Sequence, residues 1–187
     1  MKRWIRAVMM AAILCWTPAT ASSAEPAAGQ PLPDFALAVP KDAGLRDYLG
    51  LSGGATFRIG DIKAEAVVIE IFSMYCPYCQ KEAPVVNELY RKIEGGPLKG
   101  RIKLVGIGVG NSPFEVETFR KKYAIPFPLF PDGDFTIHKL VGEVRTPFFI
   151  VLKTRQTGAP KVIHAKLGAF ESVDGFLEFV AKSAEIK

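Results

Sequence analysis

Two cysteines three residues apart, Cys76 and Cys79, stand directly after the apolar run Ala66-Val67-Val68-Ile69-Glu70-Ile71-Phe72 in the stretch Cys76-Pro77-Tyr78-Cys79. A strand that delivers a cysteine to the first turn of a helix sets its sulfur against unpaired backbone N–H groups and the positive end of the helix dipole, which favours thiolate over thiol. The second cysteine, one turn on, lies close enough to attack a mixed disulfide and release the product. Cys76 is thus the expected nucleophile and Cys79 the shielded resolving thiol. Pro77 and Tyr78, between them, are expected to tune the redox potential, because whatever stabilises the Cys76 thiolate stabilises the reduced form.

The resolving thiol must lose its proton before it can act, and Glu70 is the expected base. A carboxylate in the middle of Val67 to Phe72 is costly to bury ionised, so its pKa should rise toward neutrality and let it trade protons. The structural alternative is a strand residue that faces solvent or pairs with a lysine.

The elements that must hold these groups are legible from their periodicity. Val67 to Phe72 reads as a strand buried on both faces, and residues from Cys79 to about Ile93 as a helix carrying Ala83, Val86, Leu89, Tyr90 and Ile93, stopped by Gly95-Gly96-Pro97. Ile102 to Val109 reads as a second buried strand, and Asn111-Ser112-Pro113 caps a helix from about Phe114 to Tyr123. A short strand Phe127 to Phe130, a short helix Phe135 to Val141, strands Phe148 to Leu152 and Val162 to Lys166, and a helix Ser172 to Ala184 follow. Ahead of the dithiol, Phe35 to Val39 and Thr56 to Ile59 are expected as paired strands, with Gly44 to Gly54 as a loop or single turn. Alternating strands and helices, then a hairpin and a helix, indicate an α/β sandwich with helices on both faces of a central mixed sheet.

The first residues read as an export leader: Lys2, Arg3 and Arg6, then an apolar run from Ala7 to Trp16, then small residues that offer cleavage after Ala21 or Ala24. The run is short for a membrane span, so a cleaved signal over 1–24 is preferred to a retained anchor, and to a lipoprotein reading of Cys15, which follows the bulky Leu14. Residues 25–33 then read as a linker and 34–187 as one domain. The localisation that follows is export, with the periplasm as the compartment.

Without the leader, the two cysteines of the motif are the only ones left, so no structural staple competes with the redox pair. The 24 basic residues less Lys2, Arg3 and Arg6 leave 21 against 19 acidic, a near-neutral balance that calls for no nucleic-acid or anionic-membrane partner. Only His138 and His164 are available as imidazole ligands, each isolated in an amphipathic segment, so no metal or other cofactor is expected. Phe114, Phe119, Tyr123, Phe127 and Phe130 make an aromatic-rich stretch that reads first as core and second as part of a partner-binding surface.

At this point the chain resembles the thioredoxin superfamily. Pro84, five residues after Cys79, stands where that family kinks its active-site helix. Thr146-Pro147, before Phe148-Phe149-Ile150-Val151, stands where it carries a cis-proline loop, and Gly168-Ala169 precedes the final helix. The active-site stretch from Glu70 to Gln80 is similar to that of the periplasmic oxidase DsbA. Residues 80–146, however, leave room for one added helix and strand rather than a helical domain, so the build resembles the exported TlpA/ResA-type proteins, which act as disulfide reductases or in cytochrome c maturation. It departs from them at Glu70, where many carry an amide, and at Tyr78.

The resemblance implies a thioredoxin-like three-layer sandwich with an N-terminal β-hairpin and a short αβ insertion. It implies a thiol-disulfide oxidoreductase whose Thr146 and Pro147 bind an extended substrate segment by strand addition, with Arg145 and Phe148 on the same rim. The bland alternative for Pro147 is a proline that begins an edge strand. Protein thiols and disulfides, together with a redox partner protein that is membrane-bound in one version, are the implied partners. A non-enzymatic assembly or chaperone module on the same fold is the alternative function. Peroxiredoxin-like chemistry is a further one, although the Pro-x-x-x-Thr-x-x-Cys pattern is missing around Cys76.

Overall fold

The computed structural model describes residues 24–155 and 158–186. The expected export leader therefore lies, but for Ala24, outside the described residues. Among the described residues, seven strands and five α-helices follow in the order β1 (Ala36–Ala38), α1 (Ala43–Leu49), β2 (Thr56–Arg58), β3 (Ala66–Phe72), α2 (Pro77–Glu94), β4 (Ile102–Val109), α3 (Pro113–Lys122), β5 (Leu129–Asp132), α4 (Thr136–Leu140), β6 (Phe148–Lys153), β7 (Lys161–Leu167) and α5 (Val173–Ser183), with one 3₁₀ turn at Ile59–Asp61.

The main sheet has the order β5-β4-β3-β6-β7, with β3, β4 and β5 parallel and β6 and β7 antiparallel to their neighbours. Every residue of β3 and β4 is buried, as expected of strands covered on both faces. Strand alternation then divides the core in two. Val67, Ile69, Ile71, Ile107, Ile150 and Leu152 face a layer that includes Leu37, Leu49, Phe57 and Ile137, from β1, α1, β2 and α4. Val68, Phe72, Leu104, Phe149 and Val151 face the opposite layer, made by α2, α3 and α5 through Ala83, Val86, Leu89, Val116, Phe119, Phe176 and Val180. This is the mixed sheet with helices on both faces, and β5 with α3 is the short inserted unit.

Gly108 shows how closely that unit approaches: a Cβ there would sit 2.8 Å from Val116 Cγ2 and 3.1 Å from Phe72 Cζ. The missing side chain in β4 makes room for α3 to pack beside the dithiol strand.

One expectation needs correction. The stretch Gly44 to Gly54 is not all loop: α1 occupies Ala43–Leu49, started by the Asp42 side chain accepting the Leu45 N–H at 2.9 Å and ended by Gly50 at φ 69°, a left-handed stop. The first two strands pair antiparallel as expected, Leu37 opposite Phe57, with this helix between them. Within residues 25–33, Gly29 to Leu32 lie along the start of β7, where Val162 N–H donates to Gln30 O at 2.9 Å and Gly29 N–H to Val162 O at 2.8 Å.

Candidate active site

The dithiol sits where β3 hands over to α2. Cys76 is the N-cap residue of that helix, with extended backbone (φ −79°, ψ 116°), and Pro77 takes the first helical position, where a missing N–H costs nothing. Cys76 Sγ accepts the Cys79 N–H at 3.4 Å and, as a thiol, donates to Thr146 O at 3.3 Å. Cys76 is partly exposed and Cys79 fully buried, as the nucleophile and resolving roles require.

Electrostatics separate the two sulfurs. Burial pushes the Cys76 thiol up, but hydrogen bonds from the Thr146 side chain, from Cys79 and from the Tyr78 backbone outweigh it, and the net direction is below the ordinary thiol value. Cys79 goes the other way: burial in the apolar layer under α2 drives it far above the ordinary value, with the nearby Glu70 charge adding to the effect.

Glu70 is opposite Gly106 of β4 and Phe149 of β6, and shares strand parity with Val68 and Phe72, which places it on the α2 face beneath the dithiol. It is 4% exposed, and its Oε1 has no hydrogen-bond partner. Desolvation, then the neighbouring Glu82 and Cys76 charges, push its pKa up to about 8. The alternative of a solvent-facing or lysine-paired Glu70 does not hold.

The Thr146–Pro147 peptide bond is cis, with Thr146 against Cys76 Sγ. The Pro147 carbonyl is already taken by the Gly168 N–H at 2.9 Å, which ties the loop to the end of β7. Tyr78, Glu82, Thr146, Pro147, Leu167 and Ala169 line a cleft of about 440 Å³ beside the dithiol. Arg145 lines it as well; Phe148 does not. At 1% exposure Phe148 belongs to the layer under α4, because its strand parity matches Ile150 and Leu152. Tyr78 is 73% exposed, so it acts on the rim of the site rather than on its interior.

Three residues at the site escape sequence reasoning. Glu82, one turn beyond Cys79 on the same helix face, is buried with Oε1 unpartnered, and desolvation raises its pKa. Its only signal is the three-residue step from Cys79. Asn111 looks like part of a helix cap, but Ser112 does the capping, and the fully buried Asn111 turns inward. There its Oδ1 accepts the Met74 N–H at 2.8 Å, and its Nδ2 lies 3.5 Å from Ser73 Oγ. Tyr75 donates its hydroxyl to Glu115 of α3. The inserted αβ unit therefore grips the loop Ser73-Met74-Tyr75 that presents Cys76.

Asn111→Ala leaves the Met74 N–H without its partner. The expected outcome is a loss of about 1–3 kcal/mol in stability, with slower alkylation of Cys76 at neutral pH as the loop loosens. Denaturant melts and iodoacetamide kinetics check the two parts.

His138, on α4, has its Nε2 2.8 Å from Val144 O. Among the described residues no three His, Cys, Asp or Glu side chains gather closely enough to hold a metal ion.

Comparison with known proteins places this geometry among relatives. A ResA thiol-disulfide oxidoreductase from Geobacillus kaustophilus is 26% identical over 126 residues, covering 66% of this chain and 63% of the relative. The Bacillus subtilis ResA is 28% identical over 83 residues, 44% of each protein. The chain thus spans less than two thirds of the length of these curated relatives.

Among solved structures, a Chlorobium tepidum protein provisionally described as the thiol:disulfide interchange protein DsbE superposes with a TM-score of 0.65 at 16% identity, over 86% of this chain and 99% of the other. StoA from Bacillus subtilis gives 0.56 at 19% identity, over 80% and 98%. At these identities the likeness is one of fold, and the fold is thioredoxin-like. The match to a family extends further into the residues, running over 28–161 and so taking in Glu70, both cysteines and the cis-proline loop, and by it the chain belongs to the AhpC/TSA family.

Proposed function

We propose that this protein is an exported, periplasmic thiol-disulfide oxidoreductase that reduces disulfides in other proteins, in the manner of a reductase or of a cytochrome c maturation factor, and is recharged by a separate redox protein. The observation that carries the proposal is the division of labour between the two sulfurs: one partly exposed and acidified at a helix start, the other buried one turn below, on the same face of the sheet as an unpartnered carboxylate. A structural or merely docking dithiol needs neither the acidified sulfur nor the buried acid. ResA relatives that carry the name thiol-disulfide oxidoreductase support the same reading.

In the proposed cycle the Cys76 thiolate attacks one sulfur of a substrate disulfide and expels the other as a thiolate, leaving a mixed disulfide. Glu70 takes the proton of Cys79, whose thiolate attacks Cys76 Sγ. The Cys76–Cys79 bond forms, the second substrate thiolate leaves, and two electrons have passed from protein to substrate. Thr146, ahead of Pro147, aligns the substrate backbone, while Pro77 and Tyr78 set the thiolate's surroundings. The leader over 1–24 supplies export in this proposal, and 34–187 supplies the catalytic domain.

Insulin-disulfide reduction with dithiothreitol as donor tests it. Precipitation of the insulin B chain should be accelerated by the protein and return to the dithiothreitol baseline once Cys76 is alkylated with iodoacetamide. A protein that leaves the baseline unchanged is not this enzyme.

A further inference from the structure

Thr146 is shared by two clefts, one on each side of Cys76. The first is the one beside Tyr78 and Glu82. The second, of about 550 Å³, runs the other way between Tyr75, Val109, Phe135 and Val144. Because Cys76 Sγ lies 3.3 Å from Thr146 O, a polypeptide joined to it by a disulfide must pass this junction. An extended chain sends successive side chains to opposite sides, so the residues flanking the joined cysteine are carried into or across the clefts.

We propose that the second cleft is a subsite for a bulky apolar side chain, such as leucine, isoleucine, methionine or phenylalanine, flanking the reacting cysteine of an extended substrate polypeptide. The proposal rests on the disulfide-exchange reading and adds to it the chemistry of the substrate segment.

Phe135 points to this role. It caps α4 with left-handed backbone, φ 61° and ψ 21°, yet contributes no side-chain cap bond; asparagine or glycine would fill such a position with less strain. It is also a poor core residue, since 44% of it remains exposed. Its ring is instead laid against Gly110, where a Cβ would come within 2.7 Å of Phe135 Cζ, and Gly110 itself has φ 63°. A strained aromatic that neither caps nor fills the core, lining a cleft that includes the Thr146 next to the reactive sulfur, is the kind of outlier found at ligand clamps.

The opposite wall is fixed as well. Tyr75 is 65% exposed, but its hydroxyl is held by Glu115, so the ring offers apolar area with little left to order on binding. The polar groups of the cleft do not oppose an apolar guest. The ring edge of His138 is engaged by Val144 O, and Glu143 and Arg145 are exposed at the rim.

Single-turnover kinetics test the proposal. The pre-reduced protein is mixed with two synthetic peptides, each carrying one cysteine as a mixed disulfide with thionitrobenzoate and differing only in having leucine or aspartate on both sides of that cysteine. Bis(2-hydroxyethyl) disulfide, which has no flanking residues, serves as the third substrate. The wild-type protein should prefer the leucine peptide by about tenfold or more. Phe135→Ser should bring the preference to within about twofold, Phe135→Leu should retain it, and neither change should alter the rate with bis(2-hydroxyethyl) disulfide.

An undiminished preference in Phe135→Ser overturns the assignment, and so does an equal fall on all three substrates, which would make the ring part of the scaffold. Should Phe135→Ser not fold, the wild-type comparison decides alone: equal rates on the two peptides overturn the subsite. A wild-type protein that reacts with none of the three disulfides removes the proposed function itself, a result distinct from either.

Discussion

Cys79→Ala is expected to stop the cycle after one chemical step and leave the protein covalently joined to its substrate. Cys76 keeps every group that favours its thiolate except the Cys79 sulfur, because the N–H bonds from residues 78 and 79 come from the backbone and survive the substitution. Attack on a substrate disulfide therefore proceeds. Nothing then displaces the substrate from Cys76: Cys79 is the only other cysteine among the described residues, and it is buried one turn below. Mixed disulfides should accumulate on non-reducing gels and disappear with dithiothreitol.

Cys76→Ser gives the opposite pattern. An alcohol in place of the thiol is not a nucleophile at neutral pH, and the surviving Cys79 is both inaccessible and held in its thiol form. Turnover on insulin should fall to the baseline with no adduct trapped. Adducts that form equally in both variants would mean that the two sulfurs are equivalent, and the division of labour would be wrong.

Much of this arrangement was legible in the sequence because the signals were long or chemically unusual. Strand β4 was expected at its observed bounds, and β3 and α2 to within two residues, since runs of buried β-branched residues and a four-turn apolar stripe leave few alternatives. Glu70 stood out as the one charge in the Ala66–Phe72 run.

What was not legible depends on tertiary closure. Helix α1 is a single seven-residue segment with Gly44 in its first turn, and its stop is a left-handed Gly50 that reads equally well as a loop residue. Glu82 lies between Lys81 and Ala83 in a helix whose exposed face also carries Glu88 and Lys92; only the return of β7 and the cis-proline loop over α2 turns it into a buried acid. Asn111 sits in a sequence that caps a helix well, and the cap is real, but the neighbouring residue supplies it. Phe148 and Phe149 are indistinguishable by type, and sheet parity alone sends one to each core. For Asn111 and Phe148 the local chemistry was read and the side each residue faces was not.

Glu70→Gln separates the catalytic from the structural consequences of the buried acid, and the two should move in opposite directions. The catalytic expectation follows from the order of steps. While Cys76 is a thiolate, its charge adds to that of Glu82 in holding Glu70 protonated. Once Cys76 is tied up in a mixed disulfide that charge is gone, so Glu70 ionises more readily at the moment when Cys79 needs a base. A glutamine cannot accept the proton. The resolving step should slow by about 10²-fold, the lower end of what a positioned general base supplies. In the wild-type protein that step should quicken as pH rises toward about 8, because the Glu70 value of about 8 includes the Cys76 charge that the mixed disulfide removes. In the variant it should stay flat there and rise only where the thiol itself ionises. Identical pH profiles from 6 to 9 would remove Glu70 from the mechanism.

Stability should change the other way. The folded-state pKa of about 8 lies above the ordinary 4.5, so between these values the folded protein keeps a proton that the unfolded chain has released. Folding then takes up a proton, and stability contributed by this group falls as pH rises, by at most about 1.4 kcal/mol per pH unit, levelling off above pH 8. Glu82, with its pKa also raised, acts in the same sense and is common to both proteins. The difference between the two denaturant midpoints isolates Glu70: Glu70→Gln should become the more stable of the pair as pH rises from 5 to 8, while its resolving step is the slower. A buried carboxylate kept at a cost in stability, and repaid only in rate, is what a proton-transfer role predicts; a variant less stable at pH 8 than the wild type would show instead that the acid is held by structural contacts.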